Sequence, residues 1–403
     1  MWRHYLYDTM SGQIGAPIDI PSDSWNITVG DSSLSSTKSK GVGVDSLSGV
    51  NIPWSAIPGK TMADKRAAIT PDATGIVKFY LSDTDLGAGR LGRPIVGGPI
   101  TNRSDSALDT ALTLGSIRSV IDTRYVIREG VYGAAKGGTT TDVVRFRNLS
   151  FRGIACGIGD MVTNEKPGGT LPVDWAYLNE KGSHERTYEG WDVQNLSAGH
   201  LIELIANVAG GPDMQFRPYL TEDERHVRWR FCAGSDAEIY LSQDHTHSLN
   251  YAPRGGTLQD LKVAHLAPIH RVYGSGSGTD KAQTCYMAED LGLVSNPYKP
   301  RPIRESTFAD SDTESLSLLR AHVNANLAAN KVPLMQLSGS IRANQPGMPV
   351  GTYWPGELFN IDIRDYPPLP DGVYETRLME MSGDNTDTIH VVFDVMEDAG
   401  LGL

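Results

Sequence analysis

Short runs in which apolar and polar residues alternate, cut off repeatedly by glycine or proline, leave this chain little room for long helices. Trp2, His4 and Leu6 alternate with Arg3, Tyr5 and Tyr7, and Trp25, Ile27 and Val29 alternate with Asn26 and Thr28. Near the end, Ile389, Val391, Phe393 and Val395 share one face. A period of two belongs to a strand with one buried side. The 403 residues include 43 glycines and 23 prolines, so turns are frequent. The chain reads as mainly β. It is too long for one ordinary core, and its length predicts about two to four domains.

Residues 1–149 read as a first β unit. Met10-Ser11-Gly12-Gln13 marks a turn, with a return strand over 14–20. A polar segment from Gly30 to Gly49 is long for a plain turn and predicts an extended hairpin or a loop ordered by a neighbour. Ile76 to Leu81 and Pro94 to Ile100 are strongly apolar, and Gly97-Gly98 marks a bulge or a close backbone approach. A helical stretch over 116–125 closes the unit, and 131–141 reads as a flexible excursion. Residues 150–235 change character to α+β. Helix-like spacing covers 150–163, and Ser197 is placed to cap a helix with the stripe Leu201, Ile202, Leu204, Ile205 and Val208, stopped by Gly210-Gly211. A hairpin follows, with Val227, Trp229 and Phe231 on one face and a charged tip at Thr221-Glu222-Asp223-Glu224-Arg225.

Residues 236–310 and 333–403 read as a second β unit. Strands over 261–272 and 282–288 flank a flexible glycine-rich tip, Gly274 to Gly278. Residues 311–332 are a helical insertion. Ser311 and Glu314 form a capping box, Leu316, Leu319, Val323 and Leu327 lie along one face, and Pro333 ends it. That stripe is expected to pack against the second β unit.

The net charge is −12. Tight, sequence-independent DNA binding needs a surplus of Lys and Arg, so the balance argues against it; an acidic surface would instead keep passing DNA from sticking. Cys156, Cys232 and Cys285 form no disulfide framework and read as free thiols. No segment approaches the length of an apolar membrane span, and the N-terminus reads as a strand and not a signal peptide, which predicts synthesis in a reducing cytoplasm. Gly59-Lys60-Thr61 ends like a phosphate loop, but Trp54 stands where the motif needs its first glycine. His245 and His247 could place two imidazoles on one side of a strand, with Asp244, His226 and Cys232 as further ligands, yet no spacing supports a metal site and a solvated loop is the plainer reading. Nothing selects a catalytic carboxylate pair, a nucleophile elbow or a protease cysteine. No catalytic residue, cofactor or metal is predicted.

Four stretches carry a family resemblance: Trp2-Arg3-His4-Tyr5-Leu6-Tyr7-Asp8-Thr9-Met10-Ser11-Gly12; Gly97-Gly98-Pro99-Ile100; the segment from Tyr188 to Gly211 with Leu-Ile-Glu-Leu-Ile-Ala; and the helix from Leu318 to Asn330 with the final strand Val391-Val392-Phe393-Asp394-Val395. In that order they resemble the tail-hub, or baseplate-hub, proteins of long-tailed phages (siphophages), especially the minor tail proteins of phages that infect actinobacteria. The resemblance implies two tube-type β-barrels per chain, an inserted α+β domain and a homotrimeric, pseudo-six-fold ring at the virion tail tip. Such a ring joins the six-fold tail tube and distal tail protein to a three-fold central spike or fibres, near the tape measure protein, around the DNA exit channel. Unlike many such hubs, the chain reads as ending soon after its last barrel strand, so no fused peptidase, lysozyme or fibre-binding domain is expected. Leu34, Val42, Val44 and Leu47, in the long polar segment, are the ring-interface candidates. The alternatives are a receptor- or carbohydrate-binding tail module and a cell-wall hydrolase. The seven tryptophans are scattered, mostly in strand patterns that predict burial, whereas a glycan groove needs exposed aromatics together.

Overall fold

The computed structural model describes residues 1–30, 41–132, 138–208, 210–241, 246–311, 313 and 315–398. It is mainly β, and none of its described helices is long and apolar enough to cross a membrane. The first sheet runs Ile14–Ile18, Trp2–Asp8, Thr74–Tyr80, Arg93–Asp105, Asp109–Leu114, Val50–Pro53, with every pair antiparallel. Its opening turn needs Gly12, at φ +77°, and is held by the Asp8 carboxylate, which accepts from the Ser11 backbone N–H at 2.8 Å.

The central strands of this sheet are buried on both faces. Leu6, Ile76, Tyr80 and Ile100 face one core, while Tyr5, Tyr7, Val77 and Phe79 face another. Burial on both sides is why 76–81 reads as a strongly apolar run, interrupted by Lys78 alone. Gly97 and Gly98 mark a close backbone approach. A Cβ on Gly98 would strike the Gly115 carbonyl oxygen, and one on Gly97 the Ile76 carbonyl oxygen.

The large sheet has nine strands. Along it lie Gly255–Gly256, Thr246–Ala252, Leu358–Ile363, Gly372–Gly383, Thr388–Glu397, Leu334–Arg342 and Gln259–Leu266. The hairpin Ser24–Thr28 and Val44–Ser48 also joins it, through Gly372–Gly383. A register shift between Leu378 and Glu380 lets that long strand serve two neighbours: residues 372–377 pair with 358–363, and 380–383 with 25–28. N-terminal and C-terminal residues therefore share one core, in which Leu6, Trp25 and Ile76 pack with Ile341, Phe359 and Phe393. The sequence boundary at 149 does not follow the hydrogen bonds, because strand alternation identifies a strand and not its partner.

An α+β layer covers the other face of the first sheet. It comprises the helices Phe151–Asp160 and Ala198–Asn207 and the sheet Val173–Asp174, Val227–Ala233, Met214–Leu220. Val227, Trp229 and Phe231 are fully buried in it, as their alternation predicts. Val143–Leu149 pairs with Lys181–Glu189, so this strand belongs by its hydrogen bonds with 150–235. Ser197 precedes its helix as expected, but its hydroxyl donates to the Asp122 carbonyl at 2.7 Å instead of capping.

A small fourth unit interrupts the large sheet. Arg271–Ser275 pairs with Cys285–Glu289 and Glu305–Ala309, and the helix Leu316–Asn330 lies across them through Leu319, Val323 and Leu327. The helix thus packs within the second β unit, as expected, over a three-stranded sheet formed by residues 271–309. The strand read over 261–272 is two strands in two sheets, with Pro268 in the break between them. Nor is Gly274 to Gly278 a free tip. Ser277 N–H donates to the Thr313 carbonyl at 2.9 Å, and a Cβ on Gly274 would strike the Val323 side chain. Glu314 of the expected capping box lies outside the described residues. Truncating Leu319→Ala should cost about 2–5 kcal/mol, whereas Asn324→Ala, on the exposed face, should stay within about 0.5 kcal/mol. Thermal melts of both variants check this; equal shifts would contradict the packing.

Candidate functional site

The unusual chemistry of this molecule lies where its units meet. Lys78 stands in the middle of the first sheet with its side chain fully buried. Its ammonium donates to the Asp23 carboxylate, to the Asp384 carbonyl at 3.0 Å and to Asn385 Oδ1 at 2.9 Å. His4 Nε2 lies 2.5 Å from the other Asp23 oxygen. Beside them, Trp2 Nε1 donates to the Thr386 carbonyl at 2.7 Å, and the Lys78 ammonium sits 4.8 Å from the Trp2 ring centroid. These contacts fasten the first sheet to the turn that links Gly372–Gly383 with Thr388–Glu397. Burial pushes the Asp23 carboxyl up, but hydrogen bonds from His4 and Lys78 outweigh it and hold the group below the usual carboxylate range. Burial draws the Lys78 ammonium below the ordinary lysine value, against the pull of Asp23.

A second joint ties the α+β layer to the large sheet. Arg377 pairs with Asp213 and, at 3.1 Å, with Asp394, while its guanidinium lies 4.3 Å from the Tyr240 ring centroid. Nearby, Glu357 accepts from Arg217 and bonds His247, each at 2.7 Å. Burial opposes ionisation of Glu357, yet the His247 hydrogen bond and the Arg217 charge hold it below its ordinary value. The arrangement offers rigidity. Buried ion pairs are strongly directional, and removing one partner strands the other in low dielectric.

These shifts fix the sign of a pH effect. Unfolded Asp and Glu titrate at roughly 3.9 and 4.3. The stabilisation from Asp23 and Glu357 is complete above those values and is lost as pH falls through them towards the depressed native ones. Denaturant unfolding should give less stability at pH 3 than at pH 7. Asp23→Asn should be weaker at pH 7 and lose less on acidification; an unchanged pH dependence would contradict the assignment.

The other sequence candidates have plainer places. Gly59-Lys60-Thr61 leads into the helix Met62–Ala68: Thr61 accepts from Asp64 N–H at 3.1 Å, and the Asp64 carboxylate accepts from Thr61 N–H at 2.8 Å. That is a capping box. The tip at 221–225 is closed by Asp223, which accepts from the Thr221 hydroxyl at 2.6 Å. Asp244 and His245 lie outside the described residues. His247 is committed to Glu357, and His226 bridges Gln13 through its backbone. Among the described residues no group of three or more His, Cys, Asp or Glu is placed to hold a metal ion. Burial pushes the Cys156 thiol up to about 12 and raises that of Cys232, while Cys285 is exposed.

Of the ring-interface candidates, Leu34 lies outside the described residues. Val42 is buried against the α+β layer, bridging Met214, and Leu47 is buried in the core shared by the two sheets. Val44 is 52% exposed, on a strand that among the described residues pairs with Ser24–Thr28 alone.

No protein-family model matches the chain, and no curated protein does. It is similar to solved tail proteins. The 43 kDa tail protein of prophage MuSo2 from Shewanella oneidensis aligns over 98% of each chain, at 9% identity and a TM-score of 0.49. A tail protein from Neisseria meningitidis MC58 aligns over 99% of this chain and 97% of its own, at 10% identity and 0.44. The prophage tail protein gp18 from Listeria monocytogenes EGD-e aligns over 97% and 94%, at 10% identity and 0.41.

Sequence reading passed over both joints. Lys78 carried a signal, as the one cation inside the run Ile76 to Leu81. Asp213 and Arg377 carried none, since 164 residues separate them.

Proposed function

We propose that the chain is a structural tail-hub protein of a phage tail tip, without catalytic activity. Three copies form a ring that joins the six-fold tail tube and distal tail protein to a three-fold spike or fibre complex, near the tape measure protein, with DNA passing through. The observation that carries this reading is the joint at Lys78. It locks two sheet-built units of one chain into a fixed relation through a shared core. A six-fold partner and a three-fold one meet evenly only if each subunit offers two quasi-equivalent surfaces in fixed orientation. The sequence resemblance to tail-hub proteins points the same way. The net charge of −12 suits a channel wall that DNA slides past. In this reading Val44 and its half-paired strand face the neighbouring subunit or the tube, while Val42 and Leu47 shape that strand from inside.

Antibody labelling of assembled particles tests the location: label at the tail tip supports the reading, and label at the capsid or along the tube contradicts it. A gel shift with duplex DNA at physiological salt should show no complex at micromolar protein. A salt-dependent shift would contradict the channel-wall role.

A further inference from the structure

Three units converge on a cavity of about 380 Å³. The first sheet contributes Arg93 and Pro94, the α+β layer Arg217, Pro218, Tyr219 and Arg230, and the large-sheet unit Trp354. Arg217 is already engaged, with Glu357 at 2.7 Å and with Gln215 Oε1 at 2.9 Å. The other two guanidiniums are not. Among the described residues neither Arg93 nor Arg230 has a side-chain hydrogen bond or a carboxylate within ion-pair distance. Arg230 rests over the Tyr219 ring, 5.2 Å from its centroid, and is exposed. Asp85 feels the charge of Arg93, and Asp174 that of Arg230, without hydrogen-bonding them.

Two unpaired guanidiniums in one partly enclosed space are unexpected on a protein of net charge −12. Both guanidiniums line the same cavity, Arg93 half-buried and Arg230 exposed, and an anion placed there would meet both positive charges. Guanidinium edges match carboxylates bidentately. The remaining walls are apolar rings, from Pro94, Pro218, Tyr219 and Trp354, which suit the methylenes of a peptide side chain. A long polyanion would meet the acidic remainder of the surface, whereas a short acidic segment meets the cavity alone.

We propose that this cavity is a docking site for an acidic segment of a partner polypeptide, whose side-chain carboxylates are held by Arg93 and Arg230. The site goes beyond the hub reading and does not depend on it. The test is titration calorimetry of the full chain with acetylated tetraglutamate amide, with inorganic phosphate and a thymidine oligonucleotide as parallel probes. Saturable binding of the peptide is expected, weakening as salt is added. Arg93→Gln with Arg230→Gln should reduce the affinity at least about tenfold, since two charge-assisted contacts are lost. The melting temperature of that double variant is expected to match that of the parent, so the loss reads as binding and not unfolding. Arg230→Gln alone, at the more exposed of the two positions, gives a smaller loss and serves if the double variant is unstable. Absence of peptide binding, binding untouched by either substitution, or phosphate or oligonucleotide binding as tightly as the peptide would overturn the proposal.

Discussion

Lys78→Met should cost about 3–5 kcal/mol of stability, because it leaves the Asp23 carboxylate buried with His4 as its remaining side-chain partner. The effect comes less from the lost attraction than from the stranded charge. A second substitution shows this. Lys78→Met combined with Asp23→Leu removes both charges and should recover much of the loss, since well-packed apolar replacements for buried pairs are often neutral. Denaturant unfolding of the two single variants and the double variant measures the coupling. A cost below about 1 kcal/mol for Lys78→Met would mean that water reaches the pair and that the joint is not sealed.

Trp229→Ala should cost a similar amount, about 3–5 kcal/mol. The ring is fully buried in the α+β layer and meets Tyr7 of the first sheet at 5.3 Å between centroids, so its removal opens a cavity where the two layers join. Its Nε1 is buried without a hydrogen-bond partner among the described residues. Trp229→Phe, which keeps most of the ring and discards the unsatisfied donor, should cost under about 1.5 kcal/mol. Thermal or denaturant unfolding separates the variants. Equal losses for the Ala and Phe replacements would show that the indole nitrogen has a partner and that packing is not the main term.

What could be read without a structure was local. The alternation of Val227, Trp229 and Phe231 gave the buried face of their strand, and the spacing of Leu319, Val323 and Leu327 gave the buried face of their helix. Neither pattern says what lies opposite. The helix does pack within the second β unit, as its stripe predicts, but nothing in that stripe shows that the sheet beneath it is a small three-stranded one. Ser24–Thr28 was recognised as a strand, but its pairing with Gly372–Gly383 joins residues from opposite ends of the chain and leaves no mark on either segment. Glycine was informative where backbones meet, at Gly97 and Gly98, and misleading at Gly274, where the strand passes beneath a helix. The buried joints were harder still. A lysine within an apolar run can be noticed, but an aspartate and an arginine far apart in sequence look like any surface pair until the fold buries them together.

The proposed hub role requires one chain to supply two β surfaces to a ring of three. Electron cryomicroscopy of the assembled tail, counting copies of this chain at the tip, tests it most directly. Three copies around the axis, with both sheet-built units of each chain facing the tube, is the predicted result. Six copies, or a two-fold arrangement, would contradict it, because each chain would then supply a single surface.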